Sequence, residues 1–578
     1  MAKSGAFTFV LHSHLPYARG AGMWPHGEEW VHEAIAETYL PLLNALYDLR
    51  EEGVPFRLTI GITPVLAEQL ADKDIIAHFV AYAAERSAWA ANDVQRFEAA
   101  DDVTMRDLAR FYHHWYARSL TSFRDRFGSS LLGAFKELQD AGMVEIATSA
   151  ATHGYLPLFS RDSSIHGQLR TGVETYKRHF GRAPRAIWLP ECAYRPALLE
   201  EENGRTVRRP GLESFLAEER LRVFFSETHT VEGGRPVGKA AGEAIGPYGE
   251  IPRRYAVTAL TEHERHSRGT TFRPYWVGDA PGLVAVLGRN NRTGQQVWSG
   301  EFGYPGDYWY REFHRKDGIS GLRYWRIGDR NSDLGSKPPY EPHIAAERVA
   351  EHVAHYVGLV EQLLADYHRE SGQFGVISSA YDTELFGHWW FEGVDWLKGV
   401  LRRLAKSEIV ELSTATAIVE DHAPDRVLDL PESSWGAGGG HFTWLNVDTQ
   451  WMWPPIHEAE RRMEQLVAAH PDANGEMRAF LDQAARELLL LESSDWPFLV
   501  TTGQAKEYAA QRFSEHVERF NRLADIVEHA APSDNDRAFL ADLQERDNPF
   551  PAIDYREFRN RQGHPIVEAI EVVRAGKR

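Results

Sequence analysis

Eight short apolar runs recur through the first 415 residues: Phe7 to Leu11, Arg57 to Ile62, Val144 to Thr148, Ala186 to Leu189, Val223 to Ser226, Leu283 to Leu287, Phe374 to Ser378 and Ile409 to Leu412. Their length and their β-branched and aromatic content predict buried strands. Between several of them lie longer amphipathic stretches such as EEWVHEAIAETYLPLLNALYDLREEG. This alternation is the strongest constraint on the chain, because a strand followed by a helix returns to the same sheet as a parallel neighbour. The number of strands and the length favour a barrel over an open sheet. Beyond residue 415 only helical periodicity persists, in PPIHEAERRMEQLVAAH, MRAFLDQAARELLLLESS and QAKEYAAQRFSEHVERFNRLADIVEH. A separate helical domain is therefore predicted over 416–578, after an α/β domain over 1–415.

Charge and cysteine content narrow the partners. A formal net charge of -19, with no cluster of Lys and Arg, argues against a nucleic-acid partner, since phosphate backbones demand a local basic excess. A neutral substrate is not repelled. The single cysteine, Cys192, allows no intrachain disulfide and suits a reducing compartment. The start, MAKSGAFTFVLHSH, carries only a short apolar run, far from a signal-peptide core or a membrane span. A cytoplasmic protein without membrane contact, and a monomer, is expected.

The chemistry gathers where the apolar runs stop. The first gives way to HSHLPYARGAGMWPHG, the third to SAATHGYLPL, the fourth to PECAY and the seventh to SSAYDTELFGHWW. In parallel α/β architectures the carboxyl ends of the strands converge on one face, where catalytic groups collect. His12 and His14 lie two apart, so on a continuing strand they share a face. Paired imidazoles can hold a metal, grip sugar hydroxyls or hydrogen-bond inside a core. No HExxH or CxxC occurs, and no acid doublet accompanies the HxH pair, which weighs against a metal. The acids at these tips are Glu191, in IWLPECAY, and Asp382, in SSAYDTELFGHW, with Glu384 the nearest competitor. Two carboxyls flanking a glycosidic bond can divide the labour of nucleophile and general acid, with retention when they sit roughly 5 to 5.5 Å apart.

The segments HSHLPY, EIATSAATHGYLPL, IWLPECAY and SSAYDTELFGHWWFEG resemble the ordered motifs of glycoside hydrolase family 57, and VWSGEFGYPGDYWYREFHR resembles its branching-enzyme subgroup. The resemblance implies an incomplete (β/α)7 barrel followed by a C-terminal helical domain, so one of the eight strands lies outside the barrel. A small helical insertion near 192–222 and a lid loop near 231–254 are expected. By motif, Glu191 resembles the family's nucleophile and Asp382 its general acid/base, acting on an α-1,4-glucan donor and passing the chain to the 6-hydroxyl of an acceptor glucan. No metal and no cofactor is implied. His12, His14 and His153 are expected around the sugar next to the nucleophile, with Trp24 as an apolar wall. Arg289, Gly306, Trp435, Trp444 and Asp495 match further sugar contacts, and Tyr248, with Tyr255 close by, is the candidate lid tyrosine. The rivals are a 4-α-glucanotransferase or α-amylase of the same family, or a silent glucan-binding protein.

Other residues read as ordinary structure. Cys192 has no base partner and is expected to pack. His352, His355 and the segment EHERH (262–266) read as solvated surface. The run GAGGG at 436–440 lacks the flanking strand and helix of a phosphate cradle, and 327–343 reads as a second long surface loop.

Overall fold

The first strand, β1 (Gly5–Ser13), is buried along its whole length, as a strand with parallel neighbours and covered faces must be. In this computed structural model, residues 3–23, 25–202, 205–233, 245–246, 249–250, 269–298, 303–329, 331–529 and 531–561 are described. Six further strands follow: β2 (Leu58–Ile62), β3 (Val144–Ala147), β4 (Ala186–Ile187), β5 (Val223–Ser226), β6 (Ala285–Gly288) and β7 (Gly375–Asp382). β1 pairs in parallel with β7, from Gly5 opposite Gly375 to His12 opposite Asp382, and with β2, from Val10 opposite Thr59. β2 continues to β3, while β4, β5 and β6 form a second parallel set. Parallel bridges Thr148–Ile187 and Arg289–Ser378 link the two sets at β3/β4 and at β6/β7. The chain is thus a mixed α/β protein with a helical C-terminal region.

All eight apolar runs carry strand residues. The eighth, Val410–Leu412, lies beside the start of β1, opposite Gly5 to Phe7. Two expectations change, the helical reading of 192–222 and the boundary at 415. The segment 192–222 holds a hairpin, Leu198–Glu202 against Arg205–Arg209, before a short helix, Leu212–Glu218, so it is not simply helical. Tyr275–Val277 pairs antiparallel with β6 and in parallel with Val427–Leu428. Helix Ala415–Asp421 buries Ala415, Ile418 and Val419 against β1 and β5 residues such as Ala6 and Val223. The strand-bearing part therefore runs past residue 415, where backbone pairing to Tyr275–Val277 overrides the local helical pattern.

The C-terminal helices are α1 (Trp453–Ala469), α2 (Gly475–Leu491), α3 (Asp495–Thr502), α4 (Lys506–His529) and α5 (Asp534–Arg546). They share one core with the strand-bearing part: Tyr155, Phe159 and Leu169 pack in the same cluster as Met463, Leu488 and Phe513. Each such burial is worth about 1.5–3 kcal/mol. Buried polar contacts fix the angle, among them Ser160 Oγ to Glu460 (2.6 Å) and Gln168 Nε2 to Glu492 (2.9 Å). No helix among the described residues is long and apolar enough to cross a membrane.

One glycine in the SSAYDTELFGHWW stretch is demanded by backbone. Gly387 has φ +97, and a Cβ there would sit 1.9 Å from the carbonyl oxygen of Glu37. We expect Gly387→Ala to destabilise the protein by about 2–4 kcal/mol, read as a lower thermal transition. An unchanged transition would show that this close approach is not required.

Candidate active site

β4 ends in Trp188, Leu189 and a tight turn, Pro190–Cys192, in which Glu191 takes φ +62 and Cys192 φ +49. Such left-handed conformations are costly for residues with a Cβ and are held only by their surroundings. Here the hold is Trp435. Its backbone N–H donates to the Glu191 carbonyl at 3.0 Å, and its indole Nε1 donates to Glu191 Oε2 at 2.5 Å. Ser494 Oγ donates to Oε1 at 3.5 Å, and His153 Nδ1 lies 3.8 Å from the same oxygen. Burial pushes the Glu191 carboxyl up to about 8; the Asp382 and Asp495 charges push the same way, while Trp435 and Ser494 oppose them.

Asp382 ends β7 opposite His12 of β1. Its charge raises both Glu191 and Glu384, which places the carboxyls of strands 4 and 7 within electrostatic reach of each other. The strand ends are tied by Ser13 Oγ and Thr383 Oγ1, 2.7 Å apart. The histidines form one stack. His12 Nε2 lies 3.1 Å from His153 Nε2, His14 stacks on His153 at 4.0 Å, and Trp188 covers His12 at 4.6 Å. His14 Nδ1 meets Thr63 and its Nε2 meets Asp495 at 3.0 Å; His153 Nδ1 meets Ser494 Oγ at 3.0 Å. Burial, reinforced by His14, lowers His12 and His153 well below the ordinary imidazole range, so both are neutral at pH 7. Neutral imidazoles both donate and accept, which suits hydroxyl ligands.

Arg289 follows β6 and is ion-paired to Glu227, with its guanidinium 6.0 Å from the ring of Trp298. Both residues act on the buried Cys192 beside Glu191, so this pair borders the same site. Trp435 does more than line a wall, since its polar edge is engaged by Glu191. Trp444 departs from its expected role: it is 1% exposed and its ring stacks on Tyr155 at 4.3 Å, so it backs the site rather than facing a sugar. Gly306 closes the turn Tyr304–Gly306, whose neighbours grip the long helix Pro342–Ser371 through Tyr304 to His355 and Asp307 to Arg348. His355 and His352, which meets the Tyr310 hydroxyl at 2.7 Å, are therefore packing groups rather than free surface. Trp24, Tyr248, Tyr255 and the segment EHERH lie outside the described residues.

Several site groups carried weaker signals. Glu227 directly follows β5, the same strand-tip position that selects Glu191. Ser494 stands beside Asp495 in LESSDWPF. Nothing local marks Tyr39, whose hydroxyl donates to Glu384, or Glu37, which lies under Arg311, Arg323 and His388.

Two carboxyls from different strands, set among neutral imidazoles and indoles at the carboxyl ends of a parallel sheet, are the equipment of an enzyme that works on glycosidic bonds. The chain belongs to glycosyl hydrolase family 57, whose profile matches residues 8–431, and a profile for the C-terminal part of 1,4-alpha-glucan branching enzymes matches residues 455–558. It is 46% identical over 552 residues to the 1,4-alpha-glucan branching enzyme of Thermococcus kodakarensis, covering 94% of this chain and 77% of that one. The crystal structure of a family 57 branching enzyme from that organism, in complex with glucose, superposes with a TM-score of 0.87 at 44% identity over 96% of this chain and 97% of the other. A probable 1,4-alpha-glucan branching enzyme of Mycobacterium tuberculosis is 31% identical over 96% of this chain and 98% of its own length. The alpha-amylase AmyC of Thermotoga maritima matches with a TM-score of 0.79 at 29% identity, over 96% and 99% of the two chains.

Proposed function

We propose that this chain is a 1,4-α-glucan branching enzyme, a retaining hexosyltransferase that cleaves an α-1,4 linkage and rebuilds it as an α-1,6 branch during glycogen synthesis. What supports the reading is that Glu191 follows β4 and Asp382 ends β7 in one parallel arrangement, with the Asp382 charge among the causes that raise the Glu191 carboxyl. Glu191 attacks the anomeric carbon while Asp382 protonates the departing oxygen, which gives a glycosyl ester on Glu191. Esterification removes the Glu191 charge, and Asp382, ionised by its first proton transfer, takes its next proton from the incoming hydroxyl. The acceptor O6–H bond breaks, the C1–O6 bond forms and the ester opens, returning both carboxyls to their starting states. His12, His14, His153 and Asp495 orient the sugar hydroxyls, Arg289 fixes Glu227 at the rim, and no metal or organic cofactor enters these steps.

The seven parallel strands are read as an incomplete (β/α)7 barrel, supported by the bridges Thr148–Ile187 and Arg289–Ser378 and by the pairing of β7 with β1. The helical domain begins after about residue 430 and supplies Trp435, Ser494 and Asp495 to the cleft. A cytoplasmic location and a monomeric state complete the proposal.

Incubation with amylose followed by proton NMR tests it. New α-1,6 linkages are expected; reducing ends alone would make the chain an amylase, new α-1,4 chains alone a 4-α-glucanotransferase, and binding without turnover a silent binder. The ionisation of Glu191 supplies a second check. Removing the Trp435 indole donor destabilises the carboxylate, so Trp435→Phe moves the acidic limb of kcat/KM to higher pH. Asp495→Asn removes a like charge and moves that limb to lower pH. Shifts of equal sign in the two variants would remove Glu191 as the group that must ionise.

A further inference from the structure

A cavity of about 330 Å3 opens beside the site and is lined by Leu15, Trp30, Phe313, Glu384, His388 and Trp389, among others. Its volume falls at the lower end of the range for small-ligand sites, roughly 300–1,000 Å3. Its place is set by chemistry already described. Glu384 lies two residues beyond Asp382 and interacts with the backbone N–H of His14, and Leu15 is the next residue of the chain. Another lining residue, Leu499, belongs to α3, the helix that opens with Asp495. The cavity is therefore on the Asp382 flank. A general acid/base touches the oxygen that leaves and later the oxygen that arrives, so the sugar beyond Asp382 is first the departing chain and then the acceptor.

The walls suit a glucose ring. Trp389 is backed by Phe313 at 4.0 Å and 30°, and Phe313 in turn by the Arg323 guanidinium at 4.5 Å. A supported indole offers a flat apolar surface at little entropic cost. Polar groups also line the cavity: Glu33, His314, Lys316 and His388.

The walls are also held in place from beneath. Phe313, Arg311 and Arg323 belong to the segment between β6 and β7, and this segment is clamped onto one buried carboxylate. Arg323 Nη1 meets Glu37 Oε1 at 3.1 Å, Arg311 Nη2 meets Oε2 at 3.4 Å, and His388 Nδ1 meets Oε2 at 2.9 Å. Against burial, which raises it, Arg323 and Arg311 keep the Glu37 carboxyl well below the usual range. Glu37 sits in a π-helical turn, Ile35–Tyr39, and so does Tyr39, whose hydroxyl donates to Glu384. Such turns are uncommon and concentrate at functional sites. One irregular turn thus positions both the far wall and the floor.

Resting on the branching reading, we propose that this cavity is the acceptor subsite, in which Trp389, stacked on Phe313, carries the acceptor glucose and turns its 6-hydroxyl toward the glycosyl ester on Glu191. The stretch 313–323, which lines the cavity with Phe313, His314, Lys316 and Arg323, then selects how the acceptor lies. The chemical class of the ligand is a neutral α-glucan chain, held by ring stacking and by hydroxyl contacts with the polar lining.

The test separates capture from cleavage. With an activated maltooligosyl donor, the release of its leaving group reports formation of the glycosyl-enzyme. The partition between α-1,6 transfer and hydrolysis, titrated against added maltooligosaccharide acceptor, reports capture. Trp389→Ala is expected to raise the half-saturating acceptor concentration about tenfold, equivalent to about 1.4 kcal/mol, and to shift products toward hydrolysis. Trp389→Leu fills the space without a flat ring and gives the same loss, whereas Trp389→Tyr restores capture. Wild-type branching with unchanged half-saturation in both Trp389→Ala and Trp389→Leu overturns the inference and leaves the functional reading standing. Absence of α-1,6 linkages in the wild type overturns that reading, and the inference with it.

Discussion

Glu191→Gln is expected to lower turnover of amylose by on the order of 10^4 or more, with glucan affinity held within a few-fold. Glutamine keeps the shape and still accepts the Trp435 indole proton, so the surroundings that bind the sugar persist while the attacking oxygen is lost. The variant is also expected to fold at least as well. The folded state raises Glu191 from its ordinary value of 4.5 to about 8, so wild-type stability contributed by the protonated group is full below 4.5 and is lost as pH rises through about 8. Glutamine does not ionise. Thermal transitions of the two proteins should therefore coincide near pH 4.5 and separate in favour of the variant toward pH 8. Turnover within tenfold of wild type would remove Glu191 as the nucleophile. A transition well below wild type across this window would show that its charge, rather than its neutral form, is accommodated by the fold.

Asp382→Asn is expected to reduce the rate on amylose by about 10^2–10^4, the span associated with general acid–base catalysis. The loss depends on the leaving group, because a donor whose leaving group needs no proton bypasses the first duty of Asp382 but not the second. With an activated maltooligosyl donor, the first step should recover most of its rate and the glycosyl ester should accumulate, detectable as added mass on the peptide holding Glu191. Azide, which needs no base, should release it with retention. Equal losses on natural and activated donors would assign Asp382 a purely structural part. Removal of its charge also lowers Glu191 toward the ordinary carboxyl range, so the acidic limb of the remaining activity should move down in pH.

Much of the candidate site was legible as a cluster of strand-end residues, because strand ends in a parallel sheet are predictable places. Glu191 and Asp382 follow apolar runs closely, and His12, at the end of β1, stacks at 6.0 Å with His14 just past it. Their partners were less legible. Ser494 and Asp495 reach the site only because Tyr155, Phe159 and Leu169 share a core with α1, α2 and α4. Trp435 and Trp444 stand nine residues apart in one aromatic loop, yet one donates its indole proton to Glu191 and the other is sealed against Tyr155. No local pattern distinguishes them. The hairpin at Leu198–Glu202 and Arg205–Arg209 was missed for a related reason, since its charged residues satisfy neither apolar alternation nor a buried run.

Taken alone, the sequence determined which segments alternate as strand and helix and which acids stand at strand ends, because these follow from residue periodicity and local composition, while the family motifs were legible only by resemblance. The tertiary structure alone decided that Glu37 would gather Arg311, Arg323 and His388, that Trp435 would hold Glu191 in a left-handed turn, and that a cavity would open against Glu384. Each of these joins residues tens to hundreds of positions apart. Burial and electrostatics act through space, and only packing brings those groups within their range.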